Sequence, residues 1–535
     1  MEIMDDIAVR LMLPHNLADS AVANLPQCEP TSVATHQGLQ KEIVAYFDHQ
    51  NMCRLARLLD AEAPHFAPTD RIPSPMRRDY KWPGIFTPFE HQKVTAEFLS
   101  LRPRAFCFNE AGTGKTSAAI WAADYLMELG IIKRVLIICP VSIMYSAWQA
   151  DVRKTAMHRT CGVAYSRDRL KRRKIVEQGY DFTVINYDGI DVVYDQIKNA
   201  NFDLIIVDEA NAYKNTGTKR WKLLSKLILP STWLWMMTGT PASQSPLDAF
   251  GLARMVSPHR VPKFSTAWRD KVLYQASRFK WIPKRSAADD VFYALQPAIR
   301  YTKKECIDLP DVVSQTRDVA LTPQAQKYYK TLKTQLLIEA AGEQVSAVNA
   351  AVSINKLLQI SGGAVYSDNG LVMEFDIKPR LAVLKEVVDE TSNKVVVFVP
   401  FTHTIEVVQR SLNEHRITSE IIQGSVSPKE RTSIISRFQD TPDPQVLIIQ
   451  PQAAAHGITL TAADTVVFWS PVMSVETYLQ CIARIDRIGQ KNAMTVVHLQ
   501  GSEIERRMYT MLQSRVDSHL KLVDLYKQVL EDNDE

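Results

Sequence analysis

Residues 106–116 read FCFNEAGTGKT: a short apolar run enters a loop with two glycines and then a helical stretch beginning near Thr116. A strand that feeds a helix through a loop of this kind constrains the fold more than any other feature of the chain. Gly112 and Gly114 let the backbone curl, so that its N–H groups and the N-terminus of the following helix converge on a phosphate. Lys115 neutralises phosphate charge, and Thr116 offers a hydroxyl to magnesium. Ala111 and Thr113 complete the loop. Strictly, the general pattern has glycine where Asn109 stands, so a plain helix-capping turn stays open on this segment alone.

The rest of the chain keeps the same rhythm. Short β-branched runs at 105–108, 135–139, 183–186, 204–207 and 233–237 alternate with longer helical patterns, which predicts a parallel sheet covered by helices. The rhythm breaks at 257–316 and returns with strands expected at 394–399, 420–423, 445–450, 465–469 and 494–499. The expected fold class is therefore α/β, with two tandem lobes: 81–256 for the first, 257–316 as a helical insertion and linker, and 317–535 for the second. Residues 1–80 are expected to form a mainly helical N-terminal region to which no chemistry is assigned. A length of 535 residues also exceeds what one hydrophobic core supports.

The second chemical signal is the apolar run 204–207, which ends in Asp208 and Glu209. Acids that follow a buried strand lie at the C-terminal edge of the sheet. There Asp208 is placed to hold magnesium through water, and Glu209 to polarise an attacking water, as phosphoanhydride hydrolysis requires. A third constellation, QCIARIDRIGQ at 480–490, spaces Arg484 and Arg487 three apart, on one face of an expected helix with Gln480 behind them. Such arginines look like fingers that stabilise charge on a transferring phosphoryl group; taken alone, two paired surface arginines remain the alternative.

In order along the chain these segments resemble helicase superfamily two, most closely the Swi/Snf-like ATPases, over about 82–511. FTPFEHQ, ending at Gln92, looks like the adenine-reading segment; NEAGTGKT resembles DEMGLGKT; CPVSIMYSAW at 139–148 resembles CPxSLxxxW. DEAN stands for DEAH or DEGH, KNTGTKRWK for KNxxSKxxK, and TGTP at 238–241 matches identically. QPAIRYTKKECIDLP resembles the hinge segment. KVVVFVPFT, IIQGSVSPKERTSIISRF, GITLTAADTVVFWSP and ARIDRIGQ follow as second-lobe motifs. Asn211 departs from histidine, Ala454 and Ala455 stand where a glycine pair is frequent, and Thr459 replaces asparagine, which puts coupling efficiency in question.

The resemblance implies two RecA-like lobes and ATP hydrolysis with magnesium. Gln92, the loop and Gly457 would contact nucleotide. A nucleic-acid backbone track would run through Ser142, Tyr187, Lys214, Thr240 and Thr402. Basic clusters at Arg167, Arg169, Lys171, Arg172, Arg173 and Lys174, at Lys214, Lys219 and Arg220, and at Lys280, Lys284 and Arg285 could extend that track, although such runs are usually solvated faces. Relatives of this type mostly translocate on duplex DNA, so the expectation is a monomeric double-stranded DNA translocase, RNA not being excluded. A strand-separating helicase and an ATP-switched, RNA-polymerase-associated remodelling protein are the alternatives.

The net charge of +4 does not by itself identify a polyanion ligand. Acids at Glu2, Asp5 and Asp6 and the lack of a long apolar run point away from a signal peptide or membrane span, and towards the cytoplasm, the nucleoid, or a host cytoplasm for a compact bacterial or viral enzyme. The scattered cysteines, Cys28, Cys53, Cys107, Cys139, Cys161, Cys306 and Cys481, are expected as ordinary buried thiols.

Overall fold

The computed structural model describes residues 2–25, 29–35, 38–62, 72–242, 245–277, 280–306, 312–342, 347–366, 372–454, 458–487, 490, 492–514 and 516. The chain divides into two compact units, one running to Cys306 and one from Ile307 to Asp517.

The first unit begins with a small module that is not mainly helical. Strands β1 (Glu2–Met4), β2 (Ala8–Pro14), β3 (Glu29–Thr35) and β4 (Gly38–Tyr46) form an antiparallel sheet in the order β1-β2-β4-β3, accompanied by helices His15–Asn24 and His49–Glu62. The expectation of a mainly helical region fails at 40–59 because that stretch is two elements, a strand and a helix. Ile43 and Ala45 are buried at strand spacing, and Asp48 then caps the following helix, accepting a bond from the Asn51 N–H at 2.9 Å.

The first lobe follows. Strands β5 (Arg104–Cys107), β6 (Val135–Cys139), β7 (Cys161–Val163), β8 (Phe182–Asn186), β9 (Leu204–Asp208) and β10 (Trp233–Met237) are all parallel. Both faces of this sheet are buried, with a period of two. Phe106, Leu136, Ile138, Ile205, Val207, Leu234 and Met236 pack on one side. Cys107, Val135, Ile137, Leu204, Ile206, Trp235 and Met237 pack on the other. A strand covered by helices on both faces has no polar side, which is why these segments read as unbroken apolar runs.

The stretch 257–316 is only partly the helical insertion expected. It holds helices Ser265–Val272 and Ala287–Ala294, with an antiparallel hairpin of β11 (Leu273–Ser277) and β12 (Lys280–Pro283) between them. Its later part belongs to the sheets: β13 (Ala298–Ile299) adds a parallel edge strand beside β5, giving the order β13-β5-β10-β9-β6-β8-β7. The strand β14 (Val312–Asp318) belongs to the second unit, where it pairs along its whole length with the last strand of that sheet.

In the second unit a small antiparallel pair, β15 (Ala364–Tyr366) and β16 (Val372–Glu374), precedes β17 (Lys394–Phe398), β18 (Ser419–Ile422), β19 (Val446–Ile449), β20 (Ala463–Phe468) and β21 (Met494–Gln500). With β14 these five make a parallel sheet in the order β14-β21-β20-β17-β19-β18. Alternate residues again serve two cores: Val396, Phe398, Leu447 and Ile449 on one side, Val395, Val397, Val446 and Ile448 on the other. The two large parallel sheets, each flanked by helices, are RecA-like lobes.

A buried ion pair lies inside the second lobe. Arg380 is paired with Glu505 at 2.9 Å, with side-chain exposures of 4% and 0%, and also donates to the Trp469 carbonyl. Glu505 accepts from the Gly501 and Ser502 N–H groups at 2.7 and 3.1 Å. Removing one partner strands a buried charge, so Glu505→Ala is expected to destabilise the lobe by about 3–5 kcal/mol, whereas the Arg380→Met/Glu505→Leu double variant loses much less. Urea unfolding of the full chain measures both; equal losses would show that the pair is not an isolated buried couple.

Candidate active site

The site in the first lobe is set by register. Met237 of β10 lies opposite both Cys107 of β5 and Asp208 of β9, so three neighbouring strands end in one row. The loops that leave that row are residues 108–114, 209–211 and 238–241. Sequence positions as far apart as 109, 209 and 239 thus meet at one edge.

In the phosphate loop Gly112 and Gly114 have φ of 93° and 77°, backbone that other residues rarely adopt, and helix Lys115–Glu128 starts directly after Gly114. A Cβ at Gly114 would fall 1.9 Å from Gln92 Nε2, so glycine also lets the Gln92 amide lie over the loop. Gln92 is fixed there: its Oε1 accepts from the Phe89 N–H at 3.0 Å and its Nε2 donates to the Thr113 carbonyl at 3.3 Å, while His91 bonds the same carbonyl at 2.8 Å. Phe89 stacks on His91 and is 51% exposed, an accessible ring beside the loop. Lys115 and Thr116 occupy the first turn of the helix, half-buried.

Asn109, where the general pattern has glycine, is built into the site. Its amide donates to Thr95 Oγ1 at 2.8 Å, and its carbonyl oxygen accepts from the Tyr301 N–H at 3.0 Å. Residues 297–301 run alongside 106–110: the N–H groups of Phe106, Phe108 and Glu110 donate to Pro297, Ile299 and Tyr301 at 2.8–3.0 Å. From this strand the buried Arg300 donates to the carbonyls of Phe108 at 3.1 Å and Gly239 at 3.4 Å, and lies 3.5 Å from the Glu110 carboxylate.

Asp208 is 4% exposed. Its Oδ2 accepts from Trp148 Nε1 at 2.9 Å and its Oδ1 from the Glu209 N–H at 2.9 Å. Burial pushes its carboxyl above the usual carboxylate range; the Lys115 ammonium acts against that shift, and the Glu209 charge adds to it. Trp148 reaches Asp208 from a π-helical turn, Met144–Gln149, inside the CPVSIMYSAW segment. Glu209 has φ 49° and ψ 55°, a left-handed conformation for a residue with a side chain. The Tyr187 hydroxyl bonds the carbonyls of both Asp208 and Glu209, at 2.7 and 3.2 Å, and holds that turn. Asn211 donates to the Thr240 carbonyl at 2.9 Å and to its hydroxyl at 3.2 Å, which links the acid-bearing loop to TGTP.

The finger candidates lie in the second lobe, and the structure corrects their expected placement. The helix Val475–Ile482 stops before them, and Arg484 falls in the turn that follows. Each guanidinium folds back on the helix end: Arg484 Nε donates to the Gln480 carbonyl and Arg487 Nε to the Ala483 carbonyl, both at 2.9 Å. Cations on the orphan carbonyls of a helix C-terminus stabilise it, which explains the early stop. Arg487 also donates to Thr459 Oγ1 at 3.1 Å. Burial and the neighbouring Arg484 push the Arg487 pKa down, yet an arginine remains charged at neutral pH. Gln480 is 8% exposed, its amide 3.4 Å from Glu476.

Of the expected backbone-track residues, Tyr187 and Thr240 spend polar atoms inside the site, and Lys214 is paired with Asp248 at 3.2 Å. Ser142 is half-buried in a short 3₁₀ turn, and Thr402 is exposed at the start of helix Thr402–Glu414. Lys219 and Arg220 pair with Asp191 and Asp188 at 2.6 and 2.8 Å. Gly457 and Ala455 lie outside the described residues. Sequence reasoning missed the roles of Trp148, Arg300 and Asn109, although all three stand in motifs it quoted. Among the described cysteines, Cys53, Cys107, Cys139 and Cys481 are buried, while Cys161 and Cys306 are only partly so. No helix among the described residues is long and apolar enough to cross a membrane.

A phosphate loop and an acid pair on the C-terminal edge of a parallel sheet define a P-loop ATPase lobe. The SNF2-related domain model matches residues 91–363, and the Helicase conserved C-terminal domain model matches 379–489. The chain belongs to the SNF2-related family of helicase-like ATPases. It is 24% identical over 428 residues to mouse Chromodomain-helicase-DNA-binding protein 1-like, covering 76% of this chain and 46% of the mouse protein. It is 25% identical over 399 residues to an uncharacterized ATP-dependent helicase of Mycoplasma pneumoniae, covering 73% of this chain and 37% of that protein. Putative protein p41 of Acyrthosiphon pisum secondary endosymbiont phage 1 is 25% identical over 434 residues, covering 76% of this chain and 90% of p41. The chain thus spans less than half of the mouse and mycoplasma relatives. Among solved structures, the Sulfolobus solfataricus SWI2/SNF2 ATPase core in complex with dsDNA aligns with a TM-score of 0.41 and 21% identity, over 81% of this chain and 92% of that one.

Trp148→Phe keeps a packed ring and removes the donor to Asp208. A hydrogen bond to a charged group contributes about 1.5–3 kcal/mol, so kcat for ATP hydrolysis is expected to fall about 10- to 100-fold. An unchanged kcat in steady-state assays would remove Trp148 from the catalytic apparatus.

Proposed function

We propose that this chain is an ATP-driven translocase on double-stranded DNA that remodels DNA or protein–DNA complexes. The observation that carries the reading is the row of strand ends that sets the phosphate loop, the acid pair and TGTP side by side, tied by Asn211–Thr240 and by Arg300. Bonds of this kind make the loops around a nucleotide move together, as a motor requires. Family membership and the name of the mouse relative, a DNA-binding protein, support DNA as the track.

In this reading Gln92 orients the adenine and residues 111–116 hold the phosphates. Thr116 Oγ1 and the Asp208 carboxylate would hold a magnesium ion; hydroxyl and carboxylate oxygens are the hard donors that this ion takes. When bound, it supplies positive charge to the phosphate oxygens. Glu209, held in its strained turn by Tyr187, orients the attacking water and takes its proton. Arg484 and Arg487 supply charge to the γ-phosphate, which makes hydrolysis depend on the second lobe. Ser142, Lys214 and Thr402, with the exposed Arg167, Arg169, Lys171 and Lys174, contact the DNA backbone without reading sequence.

One observation favours a second reading, a strand-separating helicase. The β11/β12 hairpin carries an exposed Tyr274, at 48%, and could serve as a wedge.

ATP hydrolysis measured without nucleic acid, and with single-stranded DNA, duplex DNA or RNA, tests these assignments. Stimulation by duplex, lost by a factor of about 100 or more in Glu209→Gln, is the expected outcome. Preference for single strands would favour the helicase, and preference for RNA would overturn the DNA track. A rate indifferent to every nucleic acid would point to a protein-partnered switch.

A further inference from the structure

At the edge of the first-lobe sheet away from the phosphate loop, the structure holds a cavity of ≈ 480 Å³. It lies where strands begin: Arg104 opens β5, and Pro297 directly precedes β13. Its other wall is the end of helix His49–Glu62 of the N-terminal module.

Charge is the distinguishing feature of this cavity. Arg57, Arg102, Arg104 and Arg260 all line it, and Asp60 is the one carboxylate among the lining residues. Asp60 answers one of the four charges, accepting from Arg102 Nε at 3.0 Å and from a second Arg102 nitrogen at 3.3 Å. Arg104 donates to the carbonyls of Met255 and Leu229, each at 2.9 Å. Arg260 donates to the carbonyls of Tyr293, at 3.4 Å, and Asp60. Carbonyl oxygens satisfy N–H groups but bring no negative charge, so the lining keeps an excess of positive charge.

Two further observations point to a ligand. Arg260 is 5% exposed, and its Nε has no hydrogen-bond partner among the described residues, a costly state for a buried donor. Burial works against the charge of both Arg104 and Arg260, yet guanidinium groups stay protonated at neutral pH. The rest of the wall includes Val256 and prolines such as Pro103 and Pro258. Proline has no N–H to offer, so this part suits an apolar body beside a charged head. The volume is within the range of about 300–1,000 Å³ typical of small-molecule sites.

We propose that this cavity binds a phosphate-bearing small molecule of nucleotide size, with Arg57 at its exposed mouth and Arg260 at its depth, as a site separate from the hydrolytic one. Its position gives an occupant a lever on that site. The cavity touches the starts of β5 and β13, whose far ends carry the phosphate loop and Arg300.

The test is isothermal titration of the full chain with inorganic pyrophosphate in a Lys115→Ala background, which weakens the phosphate loop. About one equivalent should bind with Kd below about 1 mM, and adding the exposed Arg57→Glu change should weaken it at least about tenfold. Arg260→Met gives a second, deeper probe whose loss of binding should match. Failure to bind pyrophosphate, or binding indifferent to Arg57→Glu, overturns the proposal. So does Arg57-dependent binding of a short DNA duplex without pyrophosphate binding, which would make the cavity part of a nucleic-acid surface. None of these outcomes depends on whether the chain translocates on DNA.

Discussion

The parallel register of β5, β10 and β9 is the constraint from which the active site follows. Cys107, Met237 and Asp208 are row-mates, so the loops after them leave the sheet at one edge and at one level. Nothing local to any of those loops would bring them together. The register in turn is held by burial on both faces, because a slip of one residue would exchange the two cores and send every side chain to the wrong side. Catalytic geometry here is a consequence of core packing.

Within that row the two acids are given different environments by the same turn. Asp208 is the last residue of its strand and stays buried, bonded by Trp148 and by the next N–H. Glu209 is turned out of the strand by its left-handed backbone, a strain of about 1–3 kcal/mol that persists only where neighbours fix it. Tyr187 does so by bonding both carbonyls of the turn. Two adjacent carboxylates would otherwise repel at similar depth, and the strained turn separates a buried, bonded acid from a more exposed one.

The sequence made the long buried strands legible because both of their faces are apolar; 135–139 and 233–237 fall where the apolar runs predict. Strands β7 and β13 escaped, being three and two residues long, too short for any periodicity. The N-terminal sheet escaped because β4 and the next helix form one continuous polar–apolar stretch, divided only by the Asp48 cap. Chemistry was legible wherever one loop carries it, as in GTGKT. It was not where partners are distant: Trp148 and Asp208 are 60 residues apart, Arg300 and Phe108 192 apart. The arginine pair shows the opposite failure. A spacing of three suggests a helix face, yet both side chains cap the end of the helix they were expected to continue.

Three side chains that depart from the expected patterns make contacts between segments. Asn211, in place of histidine, donates across to Thr240; Thr459, in place of asparagine, accepts from Arg487; and Asn109, where the general phosphate-loop pattern has glycine, anchors the loop to Thr95 and Tyr301. Each of these three side chains makes a hydrogen bond to a residue of another segment. Arg300 extends the same logic to the chain leaving the lobe. Its guanidinium binds the carbonyls of Phe108 and Gly239, and the segment that carries it runs on towards Cys306, where the first unit ends. The phosphate loop and TGTP are therefore both bonded to the strand that leads out of the lobe. From the 108–114 loop to the end of the first unit the path is thus hydrogen-bonded at Arg300 and covalently continuous as far as Cys306.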